Sequence, residues 1–239
     1  MTFREFRKLV ELSTEDICTD IFRGNAASIK IKKERVGVRN LVNIFNATLK
    51  LSLEKGFQAM SMRDLSRETG LSMGALYSYF SGKEELLEII QNQGLLITYR
   101  VMQSQLENVK EPRERLRAAV RSHLYLSEVM HPWFYFAYME TRNFSREKQK
   151  KAIQGELHTE KLFEDILEQG RGEGSYRATN SQLTAALIKA MLQDWYLKRW
   201  KYSRRGVGVE QYADFVIEFV EAGIKNDVSG NMGGDHGSN

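Results

Sequence analysis

Residues 61–80 form the stretch SMRDLSRETGLSMGALYSYF, on which the fold prediction depends. Ser61 and Ser72 each precede a short helical pattern, and a serine in that position caps a helix by accepting a backbone hydrogen bond. Gly70 lies between the two patterns, where a left-handed turn residue is needed. Two short helices joined by a tight turn that contains glycine are typical of a helix-turn-helix.

The second helix of this stretch has the residue types of a DNA-recognition helix. Apolar side chains are spaced to close a small core: Leu65, Leu71, Leu76 and Phe80 with Phe45 and Phe57. The outward positions are small or flexible, which lets a helix enter the major groove: Met73, Gly74, Ala75 and Ser78. Tyr77 and Tyr79 are expected to be exposed and to present hydroxyls to phosphate oxygens, and Lys83 adds a positive charge.

Basic residues are concentrated around the motif. Ten lysine and arginine residues and four acidic residues fall between residues 28 and 83, a formal charge of +6 in a chain whose net charge is +4. A basic block beside a slightly acidic remainder indicates a polyanionic partner for the block. A solvated basic surface and a helical hairpin inside an ordinary core are the alternatives. Motif and charge together favour DNA binding, because so small a helix surface makes poor core.

The whole chain is predicted to be all-α. Among its 239 residues only Pro112 and Pro132 are prolines, so long stretches run without a helix breaker. Thr2 and Ser13 have the spacing of helix caps, and Ser81 with Glu84 has the spacing of a capping box. Apolar periodicity predicts further helices over residues 36–55, 82–109, 113–129, 132–142, 146–170, 181–202 and 209–226.

These elements predict an N-terminal helix-turn-helix domain and a larger C-terminal helical domain. We predict an extension over residues 1–35 and a DNA-binding domain over residues 36–96 with its motif at 61–80. A ligand-binding and dimerisation domain is predicted over residues 97–227. The tail, residues 228–239, is rich in Gly, Asn and Ser and is predicted to be disordered.

Several other functions find no support in the sequence. Cys18 is the only cysteine, so no intramolecular disulfide forms, and we expect this thiol to be buried. No signal peptide and no run long enough for a membrane span is found, which favours a cytoplasmic protein without membrane contact. The histidines are scattered, so no metal site, cofactor or catalytic nucleophile is predicted: His123, His131, His158 and His236.

An aromatic run marks the larger domain. Residues 131–139 place five aromatic side chains in six positions: Trp133, Phe134, Tyr135, Phe136 and Tyr138. On a helix these side chains face all directions, which predicts burial all round. Two interpretations stay open: the aromatic side chains fill the core, or they line a pocket for a small apolar ligand.

The last two predicted helices have broad apolar faces. One carries Leu183, Leu187, Ala190, Met191 and Trp195, and the other carries Tyr212, Phe215, Val216, Phe219 and Val220. Small residues permit a close approach of helices: Ala186, Ala190 and Gly223. Two such helices from each of two chains would form a four-helix interface about a two-fold axis. Internal packing within one chain is the alternative.

Residues 36–96 resemble the DNA-binding domain of the tetracycline-repressor (TetR) family. The resemblance rests on EKGF at 54–57, SMRDLS at 61–66, GLSMGALYSYF at 70–80 and KEEL at 83–86. Ser66 departs from the alanine that is more usual in the family. The resemblance implies a homodimer that represses transcription from a palindromic double-stranded DNA operator. It also implies release of that operator by a small ligand held in the C-terminal domain.

The family pattern further implies which residues contact DNA: Ser61, Met62, Arg63, Ser72, Met73, Gly74, Ala75, Tyr77, Tyr79 and Lys83. Residues 1–35 are longer than the family's usual arm. Their basic residues either reach along a groove or belong to a flexible linker: Lys30, Lys32, Lys33 and Arg35. A likeness of Trp195, Tyr196 and the closing helix to fatty-acid-related members of the family implies a lipidic ligand.

These features predict ligand-induced release. A ligand near residues 131–139 would shift the long helix at 82–109 and change the separation of two recognition helices, which lie about 34 Å apart on DNA. One alternative is a ligand-independent architectural DNA-binding protein, which predicts a filled core without a sizeable pocket. Another is a helical ligand-binding protein whose DNA-binding domain has lost its function.

Overall fold

The computed structural model describes residues 1–10, 13–25, 29–141, 146–177 and 179–225. Within these ranges the chain forms twelve α-helices: α1 (Phe3–Val10), α2 (Thr14–Gly24), α3 (Glu34–Lys55), α4 (Met62–Thr69), α5 (Met73–Leu76), α6 (Lys83–Leu106), α7 (Pro112–Val129), α8 (His131–Glu140), α9 (Arg146–Gly172), α10 (Ser181–Leu197), α11 (Arg199–Arg204) and α12 (Val209–Ile224). The all-α prediction is confirmed. An isolated antiparallel bridge joins Tyr176 to Lys225. The predicted disordered tail, 228–239, lies outside the described residues.

Serine side chains begin several helices, as their spacing predicts. Ser13 and Ser61 accept hydrogen bonds from the backbone N–H of Asp16 and Asp64, at 3.0 and 3.2 Å. Each aspartate in turn accepts from the N–H of its serine, which completes two capping boxes. Ser72 caps α5 in the same way through the N–H of its third residue. None of the helices in the described ranges is long and apolar enough to cross a bilayer.

The capping box predicted from Ser81 to Glu84 is wrong. The extended residue before α6 is Gly82, which has no side chain to cap the helix. The helix therefore begins one residue later than the spacing suggests, and Ser81 Oγ donates to the carboxylate of Glu85 at 2.6 Å.

The helix predicted over residues 181–202 is two helices, α10 and α11, separated at Lys198. The carboxylate of Asp194, in the last turn of α10, accepts hydrogen bonds from Lys198, Lys201 and Tyr202. These three bonds tie the start of α11 back to α10 and stabilise the bend.

Helices α3, α4 and α5, with the first turns of α6, form a compact unit that we call the head. Its core is largely the predicted one, since five of the six predicted residues are buried: Phe45, Phe57, Leu65, Leu76 and Phe80. The sixth, Leu71, is only partly buried. Gly70 follows α4 with a φ of +70° in the left-handed conformation, as predicted, and Gly56 follows α3 with a φ of +81°.

Helix α8 connects the head to the body, which we define as α7–α12 with the remainder of α6. The ring of Trp133 packs edge-on against Phe45 of α3, and the ring of Phe136 packs edge-on against Phe57, with centroids 5.6 Å apart in both pairs. Helix α6 runs from the head into the body. Two helices of the body therefore contact the head directly.

The N-terminal extension is helical and packs on both parts of the molecule. Phe3 and Phe6 of α1 contact the ring of Tyr125 in α7, with centroids 5.4 and 5.6 Å apart. Helix α2 packs along α3, where Phe22 lies so close that a Cβ at Gly37 would meet its ring at 2.1 Å. Cys18 is buried on α2, as expected, and burial raises the pKa of its thiol to about 12.

Candidate DNA-binding site and ligand cavity

The helix-turn-helix presents one continuous surface of small and polar residues. Exposed members of the predicted contact set are Ser61, Arg63, Ser72, Gly74 and Tyr77. Partly exposed members are Met62, Met73 and Ala75. Leu65 and Leu76 anchor the inner faces of α4 and α5, and the capping residues Ser61 and Ser72 at the start of both helices are exposed. N–H groups that remain uncapped at a helix start suit the phosphate oxygens of DNA.

The prediction that Tyr79 is exposed is wrong. This side chain is 1% exposed, because the chain turns inward after α5 and carries the ring against α3. The hydroxyl accepts a hydrogen bond from Asn40 Nδ2 at 2.9 Å, and burial raises the pKa of the phenol. Tyr79 therefore holds α5 to α3 in the free protein. Sequence reasoning missed this because no local pattern distinguishes Tyr79 from Tyr77, which lies two residues earlier and is exposed.

The ammonium group of Lys83, which was predicted to contact DNA, is engaged in contacts within the protein. Its Nζ donates to the carbonyl oxygens of Gln58 and Met60, at 2.9 and 3.4 Å, and lies 5.5 Å from the ring centroid of Phe57. These contacts fix the loop between α3 and α4. Lys83 thus positions the start of the helix-turn-helix.

The basic segment, which we define as residues 30–35, lies beside the recognition helix. The backbone N–H of Lys30 donates to the carbonyl oxygen of Ser78 at 2.9 Å, and Ile29 is buried. The side chains of Lys30, Lys32, Lys33 and Arg35 are all exposed. One end of the segment is therefore anchored next to α5, and its charges add to the surface of the helix-turn-helix.

A cavity of about 670 Å³ lies in the body between α6, α7, α8, α9 and α10. Three of the five aromatic residues in the predicted pocket contribute to its wall: Trp133, Phe134 and Tyr138. The other two do not, since Tyr135 stacks on His131 and Phe136 packs into the head. Burial all round is also wrong, because Tyr138 is 47% exposed. The helix has one face toward the head and another toward the cavity, which accounts for both deviations.

Most of the cavity wall is apolar, but one corner is polar. Lys189 of α10 is 3% exposed and His123 of α7 is 2% exposed, with Lys189 Nζ 3.1 Å from His123 Nε2. Glu156 of α9 lies 3.3 Å from the same Nζ. Burial, together with the nearby Lys189, keeps the pKa of His123 well below its usual value, so this ring is neutral. We call these three side chains the polar corner.

Sequence reasoning missed the polar corner, although the sequence carries a signal for it. Lys189 shares a face of α10 with Ala185 and Leu192, at helical spacings of four and three, and both of these are buried. A helical wheel therefore places this lysine inward. No group of three metal-binding side chains is found in the described part of the chain.

The outer face of the body is apolar on α10 and α12. Four large side chains on this surface, which we call the α10–α12 face, are between 62% and 67% exposed: Leu183, Leu187, Phe215 and Phe219. The two side chains on each helix are spaced i, i+4, so they lie on one face of that helix. Large exposed apolar side chains grouped on one surface are typical of an interaction surface.

An exposed helix-turn-helix joined to a helical body with a mainly apolar cavity is typical of one-component, DNA-binding regulators of transcription. Two family descriptions match the chain. "Bacterial regulatory proteins, tetR family" matches residues 44–90, and "Tetracyclin repressor-like, C-terminal domain" matches residues 109–224. The chain therefore belongs to the TetR family and is a DNA-binding transcriptional regulator, as the sequence predicts.

Individual relatives agree with this assignment. The HTH-type transcriptional regulator HbdR of Aromatoleum sp. (strain CIB) is 26% identical over 182 residues, 76% of each chain. The structure of the ketosteroid transcriptional regulator KstR2 of Mycobacterium tuberculosis superposes with a TM-score of 0.69 at 19% identity, over 84% of this chain and 99% of that one. AibR, in complex with isovaleryl coenzyme A and operator DNA, superposes with a TM-score of 0.66 at 22% identity, over 74% and 95%.

Proposed function

We propose that the chain is a homodimeric repressor that a small apolar ligand releases from a palindromic operator. One observation carries the proposal: the apolar cavity is walled by α8, which packs against the head, and by α6, which runs from the head into the body. A ligand in the cavity thus touches the elements that position the helix-turn-helix. The cavity also argues against the architectural alternative, which predicts a filled core.

The DNA contacts are proposed on the exposed part of the helix-turn-helix. Ser61, Met62, Arg63, Ser72, Met73, Gly74, Ala75 and Tyr77 are the direct contacts in this proposal. Tyr79 and Lys83 support them by holding α5 and the loop before α4. The basic segment extends the interface, because its anchored end lies at Ser78 and its exposed lysines can follow the phosphate backbone.

The α10–α12 face supports the proposed dimer. Burial of large apolar side chains drives association, and aromatic residues such as Phe215 and Phe219 are typical of interface centres. The same face on a second copy would build a four-helix interface about a two-fold axis. Two recognition helices related by that axis suit a palindromic site.

The route from ligand to DNA runs through two contacts of the cavity wall. Gln91 of α6 donates to the carbonyl oxygen of Ala137 in α8 at 3.1 Å, which links the two helices. Trp133 has one side toward the cavity and another against Phe45 of the head. A ligand that binds better when α6 and α8 are shifted lowers the affinity of the protein for DNA. Bound DNA lowers the affinity for the ligand by the same factor.

The residues that line the cavity indicate the chemical class of the ligand. Aliphatic and aromatic side chains dominate the cavity wall, which suits a lipid-like acyl chain or ring system. Acyl-coenzyme A and ketosteroid are named for AibR and KstR2, two proteins of this fold. We place the protein in the cytoplasm with the DNA it controls. We assign it no catalytic activity, because the matched relatives are regulators.

Selection of binding sites from random double-stranded DNA tests the proposal. The full chain should enrich a palindrome whose two half-sites lie on one face of the duplex, whole helical turns apart. Arg63→Ala should weaken binding to the selected site, whereas Arg205→Ala, at an exposed position of the body, should not. Failure to enrich any motif, or equal effects of the two substitutions, would overturn the DNA-binding assignment.

A further inference from the structure

The first helix of the N-terminal extension is docked on the body. Phe6 of α1 is 0% exposed, and its ring lies edge-on to the ring of Tyr125 in α7. The backbone N–H of Phe3, the first residue of α1, donates to the carboxylate of Glu210 in α12 at 2.8 Å. N–H groups in the first turn of a helix have no partner within that helix, so α12 supplies one here. Helix α1 is thus fixed to two helices of the body.

The second helix of the extension contacts both the head and the body. Phe22 of α2 is buried against α3 of the head. Asp20 of α2 pairs with Arg100, in the body part of α6, at 3.1 Å. After α2, the backbone N–H of Lys30 donates to the carbonyl oxygen of Ser78, directly behind the recognition helix α5. The extension therefore reaches from α12 of the body to the end of α5 in the head.

The connection between α1 and α2 is short. Residues 11–13 alone join the two helices, and each residue spans at most about 3.6 Å. A tilt of the head that carries α2 away from the body must therefore pull α1 off α7 and α12. A helix of eight residues is marginal on its own in water, so α1 keeps its helical form through its docking contacts.

Movement of the head against the body is the ordinary expectation for two packed units of one chain, unless the contacts between them are extensive. Helices α6 and α8 join the two units from one direction. The extension adds apolar, ionic and backbone contacts that involve α3, α6, α7 and α12. These contacts oppose such a movement.

We propose that α1 and α2 act as a strap that restrains tilting of the head against the body. In the proposed dimer this restraint fixes the separation of the two recognition helices before DNA binds. The restraint itself acts within one chain, and only its effect on that separation rests on the proposed function.

Distances between spin labels measure the restraint in the full chain, with neither ligand nor DNA present. A nitroxide is attached to Arg67→Cys, an exposed position of α4, and double electron–electron resonance gives the distance between the two labels of a dimer. Cys18 is buried and the pKa of its thiol is raised, so it should stay unlabelled. Mass spectrometry of the unsubstituted chain checks this. An intact strap should give one narrow distance distribution.

Two variants of α1 distinguish a strap from a helix that merely covers the surface. Phe3→Ala with Phe6→Ala removes both rings from Tyr125, and the narrow distribution should be replaced by a broad one. Leu9→Ala removes a leucine that is 68% exposed on the same helix, and should leave the distribution narrow. Circular dichroism verifies that each variant is folded. Should the double variant fail to fold, Phe3→Ala alone gives the comparison, since Phe3 is only partly buried.

The outcomes separate the strap from the proposed dimer. A broad distribution in the wild type, a narrow one in the double variant, or equal broadening in Leu9→Ala would overturn the strap. Absence of any distance between two chains would instead overturn the dimer. A second label at Arg205→Cys, an exposed position of the body, then gives the distance from head to body within one chain. Broadening of that distance in the same variants supports the strap, and an unchanged width overturns it.

Discussion

The hydrogen bond between Tyr79 and Asn40 gives a sharp test of how the recognition helix is held. In the structure the Tyr79 hydroxyl is enclosed and accepts from Asn40 Nδ2 at 2.9 Å. Replacing Tyr79 by Phe removes this hydroxyl and leaves the ring in place. The substitution should therefore affect the stability of the head and leave its DNA-contacting surface intact.

The expected loss of stability follows from the partners. A neutral hydrogen bond contributes about 1 kcal/mol net, and more where the abandoned partner is buried. Asn40 is only partly buried, so its amide can find water, and the decrease in the free energy of unfolding should stay near 1 kcal/mol. For a chain of this size such a decrease lowers Tm by about 2–4 °C.

Thermal unfolding and operator titration measure the two effects separately. Unfolding of wild type and Tyr79→Phe is compared at one protein concentration, because a dimer's Tm depends on concentration. Binding to the selected operator is followed by fluorescence anisotropy at several salt concentrations. Tyr77→Phe is the matched control, since Tyr77 is exposed on the same turn. It should leave Tm unchanged and weaken operator binding several-fold.

The opposite pattern of results would refute the structural role assigned to the Tyr79 hydroxyl. If Tyr79→Phe keeps its Tm but binds the operator tenfold or more weakly, its hydroxyl contacts a phosphate in the complex. The burial seen in the free chain would then not persist on DNA. A decrease of both stability and affinity by equal free energies would instead mean that α5 is displaced.

Further predictions concern other parts of the molecule. Lys32→Ala with Lys33→Ala should reduce the slope of log affinity against log salt by about 0.9 for each phosphate that is no longer neutralised, and an unchanged slope would separate the basic segment from DNA binding. Phe219→Glu on the α10–α12 face should give monomers in sedimentation velocity, whereas a persisting dimer would move the interface elsewhere. Although burial raises the pKa of Asp194, hydrogen bonds from two lysines and a tyrosine lower it to about 2. A carboxyl group with a lowered pKa stabilises the fold at pH values above its pKa in the unfolded chain, and this stabilisation is lost as the pH falls toward its pKa in the folded chain. Acid titration from pH 4 to 2 should therefore destabilise the wild type more than Asp194→Asn. Gly94→Ala in α6, where a Cβ meets no atom within 4 Å, should raise the free energy of unfolding by about 0.5–1 kcal/mol in urea titration, and a decrease would mean that the glycine is needed.

The local elements of the fold could be predicted because their signals are local. Serine caps at Ser13, Ser61 and Ser72 and the left-handed glycine at Gly70 act over three or four residues, and all four are found where expected. Four of the predicted interface side chains on α10 and α12 are exposed: Leu183, Leu187, Phe215 and Phe219. For Trp195, Val216 and Val220 the prediction is wrong, because these side chains lie on the inner faces of the two helices and are buried within the chain. That the four exposed side chains bury against a second copy stays a prediction.

The parts that could not be predicted depend on contacts distant in sequence. Tyr79 is buried by Asn40, which lies 39 residues earlier, and no local pattern distinguishes it from exposed Tyr77. The polar corner joins His123 and Lys189 across 66 residues. Tyr135 and Phe136 belong to an aromatic run whose members divide between head, surface and cavity, and only the packing of α8 decides which side chain faces which.

Operator binding to the DNA upstream of the chain's own gene tests the central claim most directly. Labelled fragments that tile this region are titrated with the full chain at several salt concentrations and with excess competitor DNA. A DNA-binding repressor predicts one fragment bound far more tightly than random DNA, by a dimer, with affinity that falls steeply as salt rises. Binding to every fragment no tighter than to random DNA would contradict an operator at this locus. Together with the absence of any enriched motif in the selection experiment, it would leave a helical ligand-binding protein whose head no longer recognises a DNA sequence.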